Sequence, residues 1–169
     1  CSSVNKKDDF QQLSDKQIYS KGLASIEKGD FKKAISEFDE VFLNYPFSSL
    51  ATKSEIMSAY SLFENNELNK AINKLRKFIE MNPKGEPTQY AHYLMAMCYY
   101  VQVSSEGRDP GLSIKALNSF KLINSKYPNS KYAKDSRLKI QFLKNSLAKN
   151  ELNIGKFYLK KGAPASSIN

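Results

Sequence analysis

The residues best able to do covalent or acid–base chemistry are few. The chain holds one histidine, His92, and two cysteines, Cys1 and Cys98, among 169 residues, with no tryptophan. A cysteine nucleophile needs a histidine within hydrogen-bond reach, but a separation of six residues turns His92 and Cys98 about 240° apart on a helix. They form no local nucleophile–base pair. Zinc sites assembled from clustered Cys and His lack their ligands. The carboxylate pairs Asp8/Asp9 and Asp39/Glu40 lie in polar or helix-surface contexts and read as solvated. No Gly-x-Gly-x-x-Gly or Walker-type loop occurs, and Gly107, Arg108, Asp109, Pro110 and Gly111 read as a turn-forming linker between two helices. The inventory predicts no catalytic residue, no metal and no cofactor.

Cys1 is the exception, because its position suggests a different chemistry. The chain opens Cys1, Ser2, Ser3, Val4, Asn5, Lys6, Lys7 and stays polar to Asp9. Bacterial lipoprotein processing leaves cysteine at a new N-terminus, where the thiol takes a diacylglycerol and the amine a third acyl chain. Each buried methylene of such chains contributes about 0.8 kcal/mol, so two or three chains anchor a soluble domain stably. Ser2 suits sorting to the outer membrane. We expect lipidation at Cys1, a flexible tether over 1–14 and a folded domain over 15–169. The expected location is the outer membrane, with the lipid as the only membrane attachment; the family resemblance given below implies its periplasmic face. Cys98 lies in an apolar stretch and reads as a small buried hydrophobe.

The elements that position these residues are helices in a soluble domain. The composition is 41% apolar and 25% charged, the balance of a folded globular chain. The apolar stretch 93–103 is about half the roughly 20 residues that a membrane-spanning helix requires. The formal charge of +9 raises the question of nucleic acid. Only three of the 26 basic residues are arginines, acidic residues interleave with the lysines, and no basic block stands apart. That pattern reads as a solvated lysine-rich surface and predicts no nucleic-acid partner.

Internal repetition sets the architecture. Ala34, Phe38, Val41 and Pro46 recur as Ala71, Leu75, Phe78 and Pro83, and again as Ala116, Phe120, Ile123 and Pro128, with identical offsets. Small residues stand upstream of each set at Gly22, Ala59 and Ala96, the third after an insertion. Small residues allow two antiparallel helices to approach, and each large side chain in the seam contributes about 1.5–3 kcal/mol when fully buried. Gly29-Asp30 and Asn65-Asn66 supply turns within the pairs. Pro46, Pro83 and Pro128 end the second helices. The pattern resembles the tetratricopeptide repeat and implies an all-α solenoid of helical hairpins, with repeats over about 15–48, 49–85, 88–130 and 131–169. The last repeat is expected to be one long helix over 132–161, with Gly155 and Gly162 repeating the spacing of Gly22 and Gly29. Pro164 should open a partner helix that the sequence leaves incomplete, so the chain reads as part of a longer protein.

Stacked repeats present a binding surface on their first helices. Tyr19, Leu23 and Ile26, then Ile56, Tyr60 and Phe63, then Tyr93, Met97 and Tyr100 step by four and three along one stripe. Such a stripe is either core or the wall of a peptide-binding groove suited to apolar side chains.

Several strings add a family resemblance: Cys1, then Tyr45-Pro46-Phe47 closing the first repeat, and Arg108-Asp109-Pro110 in the third. Tyr127-Pro128-Asn129-Ser130-Lys131-Tyr132 and the run from Phe142 through Leu147 to Lys149 follow. In order and spacing the chain from about Ile18 onward resembles the BamD family, the lipoprotein component of the bacterial outer-membrane β-barrel assembly machine. The resemblance implies a non-enzymatic scaffold that docks the POTRA region of BamA, contacts the other assembly-machine lipoproteins and receives targeting signals of unfolded barrel substrates. It places partner docking at Arg137, Lys139 and Lys144 and signal reception at the aromatic stripe. The alternative is a tetratricopeptide lipoprotein that couples envelope constriction to peptidoglycan synthesis; such proteins usually add an N-terminal coiled coil, and the stretch before Ile18 has no heptads.

Overall fold

The structure, a computed structural model, describes residues 13–106 and 110–162. Cys1, Asp8, Asp9, Gly107, Arg108, Asp109 and Pro164 lie outside the described residues. Seven helices follow one another: α1 (Asp15–Glu27), α2 (Phe31–Asn44), α3 (Ala51–Glu64), α4 (Leu68–Met81), α5 (Glu86–Glu106), α6 (Pro110–Lys126) and α7 (Lys131–Lys160). No strand occurs among the described residues. The chain divides into two compact units at Asn65/Asn66.

In the first unit, α1 begins at a capping box. Ser14 Oγ accepts from the Gln17 N–H, and the Ser14 N–H donates to Gln17 Oε1 at 2.9 Å, so two otherwise orphaned donors are satisfied. Gly29 turns the chain at φ +72°, and Asp30 caps α2 by accepting from the Lys33 N–H at 3.2 Å. The α1–α2 hairpin closes around Gly22: a Cβ there would stand 2.7 Å from the Phe38 ring, which is itself fully buried. Gly22→Val therefore overpacks the hairpin, and we expect a loss of about 1–3 kcal/mol in chemical denaturation. Ser25 Oγ donates to Glu37 Oε2 at 2.6 Å across the same pair. Helix α3 packs against α2 and buries the small residues Ala51, Ser54, Ser58, Ala59 and Ser61.

The second unit is a layered arrangement in which α4 packs on α5, α5 on α6, and α6 on α7. Thr88 Oγ1 donates to the Asn82 carbonyl at 2.6 Å and fixes the α4–α5 turn. Ala96, Ala116, Leu117, Phe120, Ile123, Ala133 and Leu143 form its core. Helix α6 starts at Pro110, so Pro110 and Gly111 are helical rather than linker. A proline in the first turn gives up only an N–H that has no helical partner there.

The repeat arithmetic translates directly into burial. Ala34, Phe38 and Val41, Ala71, Leu75 and Phe78, and Ala116, Phe120 and Ile123 are all exposed by 1% or less. Asn66 adopts φ +59° at the second turn. Helix α7 runs as one long element, capped at its start by Ser130 and followed by Gly162 at φ +66°. Gly155 differs from Gly22, because a Cβ at Gly155 would meet nothing within 4 Å. On the C-terminal half of α7, Leu152, Phe157 and Leu159 are more than half exposed.

Candidate interaction surfaces

In the first unit the stripe is half-buried. Tyr19 packs edge-on to Phe38, with centroids 5.4 Å apart, and burial raises its hydroxyl above the usual tyrosine value. Leu23 is exposed, Ile26, Tyr60 and Phe63 are half-buried, and Ile56 is buried. The Tyr60 hydroxyl is likewise raised, by burial first and then by its hydrogen bond with Glu64.

In the second unit the stripe is drawn into an aromatic cluster with α7. Tyr93 stacks on Tyr132 at 5.0 Å and meets Phe120 edge-on. Tyr100 meets Phe120 and Phe142, each at 6.0 Å. Met97 is half-buried against the same core. The Tyr93 hydroxyl donates to Asp135 Oδ2 at 2.7 Å, and burial, then Asp135, raise it well above the ordinary value. Burial works to raise Asp135, but hydrogen bonds from Lys139 and Tyr93 outweigh it and hold the carboxyl below its usual range.

The three basic positions on α7 divide. Arg137 and Lys144 are exposed. The Lys139 side chain keeps only 19% of its surface exposed, with its ammonium 2.8 Å from Asp135 and 5.6 Å from the Tyr100 ring centre. Its charge is engaged inside the unit, whereas the other two side chains stand in solvent. Asp135, Tyr132 and Phe142 are the residues that reading the sequence misses here. The Asp135/Lys139 spacing of four is a legible helical pair, but nothing local indicates that Tyr93, 42 positions earlier, completes it. A shallow groove lined by Pro110, Asn150, Asn153, Ile154, Phe157 and Tyr158 was also not legible.

His92 and Cys98 are both buried in α5. The His92 ring lies 5.8 Å from that of Tyr127 and its Nε2 has no hydrogen-bond partner. Burial, then the charge of Lys126, lower its pKa. Burial pushes the Cys98 thiol up to about 12, so it is protonated at neutral pH. No group of three His, Cys, Asp or Glu side chains that could hold a metal converges among the described residues. No described helix is long and apolar enough to cross a membrane.

Helical hairpins that close on a small residue, bury an Ala-x-x-x-large-x-x-large seam and stop before proline define a tetratricopeptide-type helical-repeat protein. A solved structure of MamA from AMB-1 shares the fold, with a TM-score of 0.56 over 90% of this chain and 76% of that one at 16% identity. The chain belongs to the YfiO family, described as outer membrane lipoprotein, whose family model matches residues 11–169. It is 38% identical to the outer membrane protein assembly factor BamD of Rickettsia prowazekii, over 90% of this chain and 61% of that protein. It is 32% identical to the factor of the same name in Caulobacter vibrioides, over 89% of this chain and 50% of that one. The chain thus spans about half to three-fifths of the length of these two relatives.

Proposed function

We propose that this chain is a non-enzymatic scaffold of outer-membrane β-barrel protein assembly, anchored to the periplasmic face of the outer membrane through acylated Cys1. The observation that carries this reading is the alignment of nine-tenths of the chain with relatives named as outer membrane protein assembly factors. Two features support a scaffold. The buried Cys98 thiol is protonated at neutral pH, and Tyr93, Tyr100, Phe120 and Tyr132 build helix-to-helix contacts.

Docking of the BamA POTRA region falls to the exposed side of α7, with Arg137 and Lys144 contacting acidic partner groups. Lys139 serves that surface indirectly, by holding α7 in place through Asp135. The half-buried stripe of each unit is the surface for apolar, aromatic-rich segments of unfolded barrel substrates. Other lipoproteins of the machine are the remaining partners.

The test is to isolate the full-length protein from membranes under mild conditions and identify by mass spectrometry both its partners and the mass of its N-terminal peptide. Recovery of BamA with an acylated Cys1 is expected. The Arg137→Glu/Lys144→Glu pair should recover about tenfold less BamA and show a weaker salt dependence, with unchanged thermal unfolding. Recovery of peptidoglycan-synthesis proteins in place of BamA would refute the assembly reading.

A further inference from the structure

Three short connections follow the second helices of the repeats, each with proline at its second position and a different residue at its third. Tyr45-Pro46-Phe47-Ser48 closes through the Ser48 N–H to the Tyr45 carbonyl at 2.9 Å, and Tyr127-Pro128-Asn129-Ser130 closes in the same way at 3.0 Å. Asn82-Pro83-Lys84-Gly85 stands at the corresponding place after α4. Proline at the second position pre-sets the turn, and the third residue occupies its apex. Lysine and asparagine suit an apex in water. Phenylalanine does not, yet Phe47 is completely exposed, and Leu43 in the last turn of α2 is 71% exposed. Pro46 between them is also exposed.

The same turn receives the N-terminal segment. The Tyr45 hydroxyl donates to the Leu13 carbonyl at 2.5 Å, and the Ser48 hydroxyl donates to the Asp15 carboxylate. That bond, then the Lys16 N–H, holds Asp15 below the ordinary carboxylate range. The Leu13 carbonyl and the Asp15 carboxylate are therefore held against the turn. Twelve residues separate this point from the start of the chain, and even fully extended they reach only about 40 Å. Lys16 and Lys53 are exposed on the helices that flank the turn, and Lys6 and Lys7 lie in the connecting segment. Lysines beside an apolar tip suit an anionic bilayer surface.

We infer that the first-repeat turn is a membrane contact: Phe47, with Leu43 and Pro46, inserts into the interfacial region of the phospholipid leaflet that holds the acyl chains of Cys1. This rests on the anchor reading above and extends it, since the turn would fix how the first hairpin faces the bilayer where a lipid anchor alone would leave it free to rotate.

The chain has no tryptophan, so Phe47→Trp creates a single fluorescent reporter, and Asn129→Trp at the equivalent turn provides its control. Each variant is coupled through Cys1 to vesicles of phosphatidylethanolamine and phosphatidylglycerol that carry a thiol-reactive headgroup. Cys98 is buried, with its thiol raised to about 12, and stays unmodified. The indole emission of Phe47→Trp should shift to the blue and be quenched by brominated acyl chains, while that of Asn129→Trp should do neither. Phe47→Ser should also lower partition of the uncoupled chain into the same vesicles roughly tenfold, the factor for one large apolar side chain. Equal quenching of the two reporters, or unchanged partition of Phe47→Ser, would overturn the inference. The mass of the native N-terminal peptide tests the anchor separately, and insertion of the uncoupled chain supports the turn whether or not Cys1 proves to be acylated.

Discussion

Phe120→Ala is expected to lower the stability of the second unit by about 3–5 kcal/mol, against a total of about 5–15 kcal/mol for a typical domain. Phe120 is fully buried and lies edge-on to both Tyr93 and Tyr100. Truncation removes its own transfer free energy, two aromatic contacts and the support beneath the α5–α7 cluster, and a close-packed core cannot fill the space with small shifts. The control is Leu122→Ala on the same helix, where the side chain is 42% exposed and the expected change is within about 0.5–1 kcal/mol. Chemical denaturation followed by far-ultraviolet circular dichroism measures both. A Phe120→Ala variant no less stable than Leu122→Ala would show that the repeat seam does not carry the fold.

Lys139→Glu is expected to cost about 2 kcal/mol, a figure below the range for breaking a fully buried ion pair because Asp135 is partly solvated. The new carboxylate would face Asp135, which already accepts from Tyr93, and would replace a cation over the Tyr100 ring with an anion. Repulsion there should loosen the N-terminal half of α7. If α7 docks BamA as proposed above, any loss of that binding in this variant should therefore come with a lower melting temperature and faster amide exchange in α7. The Arg137→Glu/Lys144→Glu pair should lose binding with neither change. Lys139→Met tells packing from charge: it keeps the hydrocarbon stem and leaves Asp135 with Tyr93. If Lys139→Glu retains its melting temperature yet loses the partner, the residue contacts the partner directly and its role in positioning α7 is refuted.

Ion-pair linkage gives these expectations a sign. Asp135 is held below its unfolded value, so its contribution to stability is complete above the ordinary carboxylate range and is lost as the pH falls through its folded value. His92 is also lowered; its burial as a neutral ring favours the fold above the ordinary histidine range and ceases to do so as the pH falls below it. Both groups weaken the second unit on the acid side.

The periodic features were fully legible in the sequence. Apolar positions that recur at fixed offsets, small residues upstream and proline stops are local statements about helix faces and ends, and helical geometry leaves them few alternatives. The residues of the three seams lie buried as that geometry requires. The long last helix, the turn glycines and the burial of Cys98 follow from the same local rules. The start of α6 at Pro110 is not legible in this way, because Gly-x-x-Pro-Gly signals both a turn and a helix entry and only packing on α5 and α7 separates them.

Residue types and their spacing thus set the helical repeats and the seam residues, because each depends on positions within one or two turns of chain. The use of particular side chains depends on packing between helices. That packing joined Tyr93 to Asp135 and withdrew Lys139 from the surface. It also left Arg137 and Lys144 in solvent, and brought Tyr45 and Ser48 to the first residues of the fold while Phe47 stood uncovered between them. Those outcomes depend on which helix faces meet, and contacts across 30 or 40 positions leave no periodic trace in the chain.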